Sequence, residues 1–286
     1  MNESPPPSEF ALRQDLAWSA GVWFAERTDS TNAEALRHPA QELQPGTVFW
    51  GLHQSAGRGR LGRRWEDVPG KALTFSLVFP QVADVERLHW LHLAAGCAVA
   101  EVAESLRAAA GGGDAATRLG LKWPNDVVEV DEAAPAGYRK FAGILTEVQS
   151  EPGGGAEGQR AAVGIGINVN QREADFPAEL RGNATSLASL TGREFELRDI
   201  LEEVLAGIGR RQRMIEAGDV DEVRAELARR DVLRGATVEV QLPTGAKLTG
   251  RAAGLDARAR LQVHTATKEH YHLESGEVVH LRPHRD

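Results

Sequence analysis

The sequence predicts an α+β fold carrying a small β unit at its C-terminal end, on three observations. Four strand-like segments run in succession through the middle of the chain. Helical composition is segregated before and after them. From about Val232 the pattern changes to short strands between turn residues. At 286 residues the chain can bury a full core, as one large domain or a large one with a small companion.

The N-terminal MNESPPPSEF has neither a basic region nor an apolar run, so residues 1–20 are expected to form a loose lead. GVWFAER (21–27) reads as a strand. It ends at Thr28-Asp29-Ser30-Thr31-Asn32, residue types that cap helices, and AEALRH follows as helix. TVFWGLHQ and ALTFSLVF read as strands on either side of an arginine-rich loop. From about Asp84 to Ala110 the residues Leu88, Leu91, Ala95, Val99, Val102 and Leu106 recur at helical spacing, and GGGD ends the run. LGLKW, NDVVEV, YRKFAGILTEVQ and RAAVGIGINVN follow as strands, with DEAAPAG and SEPGGGAEGQ as turns. Residues from about Leu197 to Arg230 return to helix. ATVEVQL, GAKLTGRAAGL, ARLQVHT and EVVHLR then read as a small β barrel, which places domain boundaries at 21–231 and 232–286.

Composition narrows the function. The formal charge of −8 argues against general attraction to DNA or membranes, both of which need a broad basic face. The apolar stretch LHWLHLAAGCAVAEVAESL holds histidines and glutamates and reads as a buried helix. Cys97 is the single cysteine, so there is no disulfide framework, and a cytoplasmic setting follows. Lysine is scarce, five against 28 arginines, so a lysine marks a place where a compact ammonium is useful.

Against that background GRGRLGRRW (57–65) is unusual: arginines separated by glycines, ending in a tryptophan. It is either a solvated turn, a grip on nucleic acid, for which one short basic loop releases few counterions, a docking element, or a mobile loop whose guanidiniums grip phosphate oxygens while Trp65 meets a base. In VGIGINVN, strand alternation puts Val163, Ile165, Ile167 and Val169 on one face and Gly164, Gly166, Asn168 and Asn170 on the other. Two glycines on one face signal close approach of another group or a bulge. In KFAGILTEV the same alternation places Lys140 with Ala142, Ile144 and Thr146, opposite Gly143. That lysine either reaches solvent at a strand end or meets an anion. In KWPNDV, Pro124 bends the chain and Asn125 and Asp126 supply oxygens, as an Asx turn or as ligands.

The ordered set DSTN, QxxGRGRxGRxW, KWPND, KxAGIL and GIGINVN over residues 28–170, with the C-terminal barrel, resembles the biotin–protein ligases (biotin–[acetyl-CoA-carboxylase] ligases). The resemblance implies a biotin/lipoate-ligase-type catalytic domain with a mixed or antiparallel sheet and an SH3-like barrel. The implied chemistry joins biotin and ATP, with Mg²⁺, into biotinyl-5′-AMP. It then transfers biotin to a lysine of a biotin carboxyl carrier protein, a subunit or domain of acetyl-CoA carboxylase. Some members carry an N-terminal winged helix-turn-helix. About twenty residues precede the first strand here, so the resemblance implies the single-function form without a repressor role, with a homodimer left open.

Carried across by motif, Ser30, Thr31 and Gln54 bind the ureido group and Asn32 supports that turn. Arg58, Gly59 and Arg60 close over the ligand, Arg63 contacts phosphate and Trp65 faces the adenine. Lys140 bridges the biotin carboxylate and the α-phosphate, so Lys140, Arg58 and Arg60 form the catalytic set. Gly143, Ile144 and Leu145 wall the bicyclic ring, Gly166 admits it, and Asn168 faces the nucleotide. Asn125 and Asp126 form the polar side of the nucleotide site, with Asp126 as a candidate Mg²⁺ ligand. The link from KWPND to Lys140 is longer than the family's usual one, and Phe141 and Thr146 replace smaller or aliphatic residues. A lipoate–protein ligase shares this fold and acyl-adenylate chemistry. A non-catalytic biotin sensor or partner-docking module is the alternative of a different class. The full loop and the barrel favour biotin, and an intact Lys140 favours an enzyme.

Overall fold

The computed structural model describes residues 8–10, 12–16, 18–79, 85–111, 118–150 and 159–282. Its main sheet contains β1 (Ser8–Phe10), β2 (Val22–Ala25), β3 (Thr47–Gly51), β4 (Ala72–Phe79), β5 (Leu119–Lys122), β6 (Asp126–Val130), β7 (Tyr138–Ser150) and β8 (Gln159–Asn168). They lie in the order β1-β2-β3-β4-β8-β7-β6-β5. Only β2 and β3 run parallel, so the sheet is mixed. Its long central strands owe their burial to β-branched and aromatic residues such as Phe75, Val163 and Ile165.

Helices cover the two faces unequally. α2 (Val85–Ala109) and α4 (Leu197–Ala217) pack together against one face, joined by α3 (Leu187–Thr191) and α5 (Val220–Arg230). The apolar seam read in the sequence is what α2 buries: Leu88, Leu91, Ala95, Val99 and Val102 belong to the main core with Leu73, Phe75, Ile165 and Ile167. α1 (Thr31–Arg37) crosses the other face alone, over β4 and β8, with Ala35 packed on Phe49, Val78 and Ala162. That short helix leaves most of its face open to the site described below.

The small unit contains β9 (Thr237–Gln241), β10 (Lys247–Leu255), β11 (Leu261–His264), β12 (His270–Leu273) and β13 (Glu277–Arg282). They form an antiparallel SH3-like sheet ordered β12-β11-β10-β9-β13. Its core of Leu233, Val238, Val240, Leu261 and Val263 takes in Trp123 from the large domain, a tryptophan that the sequence offered only as part of a bend. The two units are therefore keyed together by an indole immediately before the Pro124 turn.

Two expectations change. The described residues before β2 are not a loose lead, because β1 pairs with β2 and Leu16 is buried in the main core. β12 went unread because HYHL is polar and partly exposed, with only Leu273 turned inward. The GGGD helix end and the SEPGGGAEGQ turn lie mostly outside the described residues. No helix among the described residues is long and apolar enough to cross a membrane.

Candidate active site

The open face of the central strands forms the floor of a cavity of about 620 Å³. In β8 the alternation holds: Ile165 and Ile167 enter the core behind the sheet, while Gly164, Gly166 and Asn168 line the cavity. The glycines are required by what lies over them. A Cβ on Gly164 would stand 2.5 Å from the Asn32 side-chain oxygen, and one on Gly166 would stand 2.5 Å from the Trp65 ring. The bicyclic ring was expected over Gly166; in this structure the ring seated there is the Trp65 indole.

Lys140 is not on the face that alternation assigns it. Cα pairing runs Asp126 with Gly143 and Val127 with Ala142, then shifts so that Val128 meets Lys140. Phe141 is the extra residue of a β-bulge, and one inserted residue reverses the facing of what precedes it. Ala142, Ile144 and Phe141 stay in the core, whereas Lys140 turns to the cavity beside Gly143. Its backbone leaves the ladder too, accepting from Thr185 N–H and donating to Asn183 O at 2.9 and 2.8 Å.

The Lys140 ammonium lies 2.5 Å from Asp126 Oδ1 and 5.6 Å from the Trp65 ring centroid. Lys122, buried across the β5–β6 turn, adds a second ammonium 3.8 Å from Asp126 Oδ2. Burial pushes the Asp126 carboxyl pKa up, but Lys140 and Lys122 outweigh it and hold the group below the ordinary range. Lys122 is a site residue that sequence reasoning left inside a motif without a role. Its scarcity as a lysine was the available signal.

The arginine loop is ordered at both ends. Gly59 N–H donates to Arg63 O at 2.7 Å and Trp65 N–H to Gly57 O at 3.0 Å, so the loop is tied across its base. Leu61 takes a positive φ of 55° at the tip and is solvent-exposed. Each inner guanidinium has a protein partner. Arg58 meets Glu147 at 3.0 Å, Arg63 meets Glu277 of β13 at 2.6 Å, and Arg60 donates to Gly276 O at 3.0 Å and to Asn125 Oδ1 at 3.4 Å. Burial lowers the Arg60 pKa against the pull of Asp126 and Glu277. Glu277 and Gly276 are more than 200 residues from the loop in sequence, and no local pattern announces them.

Beside the loop, across Glu147, Ser30 caps α1, accepting from Ala33 N–H at 3.5 Å. Gln54 Oε1 accepts from Thr31 N–H at 2.8 Å, and Asn32 Nδ2 donates to Leu145 O and Glu147 at 3.0 and 2.8 Å. Ser30, Thr31, Asn32 and Gln54 are thus brought together as one buried polar corner. Asn168 is already engaged, donating to Thr185 O and accepting from Gln171, each at 3.0 Å. Three buried polar atoms along the cavity wall, Trp65 Nε1, Gln171 Oε1 and Asn183 Oδ1, have no hydrogen-bond partner among the described residues. Such groups are costly unless a ligand or water meets them.

The donors do not suit a protein-held Mg²⁺. Asp126, the expected ligand, is neutralised by two ammonium groups, and no cluster of three metal-ligating side chains exists among the described residues. The cavity therefore presents cations and amide groups together, an arrangement suited to an anion: a polar corner, a lysine and the arginines of the loop.

The chain is similar to known proteins in sequence and in fold. The sequence model described as the biotin/lipoate A/B protein ligase family matches residues 24–168, and that of the biotin protein ligase C-terminal domain matches residues 235–281. The chain is 33% identical over 286 residues to the biotin–[acetyl-CoA-carboxylase] ligase of Mycobacterium tuberculosis, covering 97% of each. It is also 33% identical over 186 residues to the bifunctional ligase/repressor BirA of Bacillus subtilis, covering 65% of this chain and 51% of that protein. Among solved structures it resembles the Aquifex aeolicus biotin protein ligase in complex with biotin and ATP. The TM-score is 0.72 at 28% identity, covering 91% of this chain and 98% of that one.

Proposed function

The chain belongs to the biotin/lipoate A/B protein ligase family, and from that premise we propose how its cavity joins biotin to ATP and passes the biotin to a carrier lysine. It is a biotin–protein ligase. The biotin carboxylate oxygen attacks the α-phosphorus of ATP, the bond to the β-phosphate bridge breaks, and biotinyl-5′-AMP and pyrophosphate result. The acceptor amine then attacks the acyl carbon, and AMP leaves with the electrons of the carbon–oxygen bond.

A carboxylate is ionised at neutral pH, so the first step needs no base. Its obstacle is repulsion between two anions, and catalysis is mainly positioning and charge neutralisation. The observation that carries the reading is the bulge at Phe141, which turns Lys140 into the cavity that the polar corner and the arginine loop also line, beside Trp65. We assign the corner of Ser30, Thr31, Asn32 and Gln54 to the ureido group, and Gly143 and Leu145 to the ring. Lys140 takes the carboxylate and α-phosphate, and Arg58, Arg60 and Arg63 the phosphates. Trp65, whose N–H is unpaired, is assigned to the nucleotide side. In this reading Glu147, Gly276 and Glu277 are the partners that the arginines exchange for phosphate. Mg²⁺ arrives with the triphosphate and not on Asp126, because a doubly paired carboxylate is a poor site for a further cation. The acceptor is assigned to a carboxyl carrier domain and the setting to the cytoplasm, the latter on the single buried Cys97.

The match of residues 235–281 to a biotin protein ligase C-terminal domain favours biotin over lipoate. Pyrophosphate release decides between them: release with ATP and biotin but not with ATP and lipoate supports the assignment, and the converse replaces it.

A further inference from the structure

α2 carries a histidine that none of these roles uses. His92 lies one turn past Leu88 on the helix's inward side, where an imidazole is expensive unless both nitrogens are paired. Both are. Nε2 is 3.1 Å from Pro124 O and Nδ1 is 2.8 Å from Thr146 Oγ1. A carbonyl can only accept, so Nε2 holds the proton, Nδ1 accepts, and the Thr146 hydroxyl donates. Burial drives the His92 pKa down to about 3, with the neighbouring His89 adding to it, so the ring is neutral at working pH and the tautomer is fixed by its partners.

What this chain of bonds holds is the turn that carries Asp126. Thr146 belongs to β7, on the face that packs against α2, paired with Val163 of the core. The turn Trp123–Asp126 is fastened at two successive carbonyls: Pro124 O by His92, and Asn125 O by Ile144 N–H at 2.9 Å. Beyond that turn, Asn125 Oδ1 meets Arg60 and Asp126 meets Lys140. His92 thus reaches the site from behind the sheet and fixes the peptide plane that aims the partners of both cations.

We propose that His92, oriented by Thr146, is a positioning residue for adenylate formation, setting the Pro124–Asp126 turn against which Lys140 and Arg60 are aligned. The inference rests on the ligase reading above. His92 touches no atom of the polar corner at Ser30, Thr31 and Gln54, so the ureido contacts assigned there survive its replacement while the alignment of Lys140 and Arg60 does not.

The test uses the full chain. Thr146→Val keeps the side-chain volume and removes the donor, His92→Phe removes both bonds, and Thr146→Ser keeps the hydroxyl. Small misplacement of reacting groups can cost about a hundred-fold in rate. Thr146→Val and His92→Phe should slow single-turnover biotinyl-AMP formation by about ten- to a hundred-fold and raise KM for ATP. Kd for biotin without nucleotide should stay within about twofold, and Thr146→Ser should restore the rate. If His92→Phe fails to fold, Thr146→Val carries the test. Unchanged adenylation in an active background, or losses that track biotin affinity and Tm together, overturns the inference. A parent protein that releases no pyrophosphate overturns the ligase reading itself.

Discussion

Lys140 and the arginine loop both present positive charge to one cavity, yet they are held by opposite means. Lys140 stands on a central strand, its backbone bonded to residues 183–185 and its ammonium to a half-buried aspartate that a second lysine also faces. The loop arginines sit on a surface turn, and their partners are partly exposed carboxylates and a carbonyl of the small domain. Exposed pairs contribute only about 0–1 kcal/mol, so Arg58 and Arg63 can exchange partners at little cost. Preorganised charge at the reacting centre and exchangeable charge around it suit an enzyme that must neutralise two anions and then let a second substrate in.

The comparison can be broken at its rigid end first. Lys140→Ala should lower adenylate formation by about 10³-fold or more with Tm little changed, read by pyrophosphate release and thermal unfolding. Normal turnover would remove the lysine from the centre. Gly166→Ala places a methyl 2.5 Å from the Trp65 ring and must displace it. The expected cost is about 1–3 kcal/mol, seen as a ten- to hundred-fold loss in kcat/KM with near-native circular dichroism. An unaffected variant would mean that Trp65 has no fixed seat in catalysis.

At the exchangeable end, Arg60→Gly should leave adenylation measurable but speed escape of biotinyl-AMP about tenfold, because the guanidinium assigned to the phosphate is gone and the loop is more flexible at that point. Equal dissociation from both proteins would show that the loop does not retain the intermediate. Protection of the loop from proteolysis on adding biotin and ATP sharpens the same point. Glu277→Gln should change ATP affinity by less than about fivefold, as a partly exposed pair implies, and the effect should shrink as salt is added.

For Asp126 the sign of the pH dependence follows from its lowered pKa. The ionised form is favoured in the folded protein, so its contribution is present above the ordinary aspartate value. It is lost only as pH falls through the depressed folded value. Acid unfolding of Asp126→Asn should therefore be less steep below about pH 4 than that of the parent.

Much of the site was legible in the chain itself. The alternation in VGIGIN put isoleucines and glycines on opposite faces, and the capping residues at 28–32 marked the polar corner at the head of α1. Lys140 was named for its chemistry, but its face was misread because a single bulged residue, Phe141, inverts a pattern of period two. His92 was invisible as a functional candidate. It sits on a helix whose apolar spacing explains the whole segment, and its partners Pro124 and Thr146 come from other elements.

The amino-acid order by itself determined which groups are available: a glycine-floored strand, a capped helix start, scarce lysines, and arginines spaced by glycine. Those are local properties, set by side-chain alternation and backbone preference over a few residues. Tertiary structure alone decided which cation faces the ligand, what holds each arginine, and that the small domain reaches the loop through Gly276 and Glu277. A bulge, a cross-domain contact and a hydrogen bond from behind the sheet depend on strand pairing and packing between distant segments, and no short window of sequence encodes those.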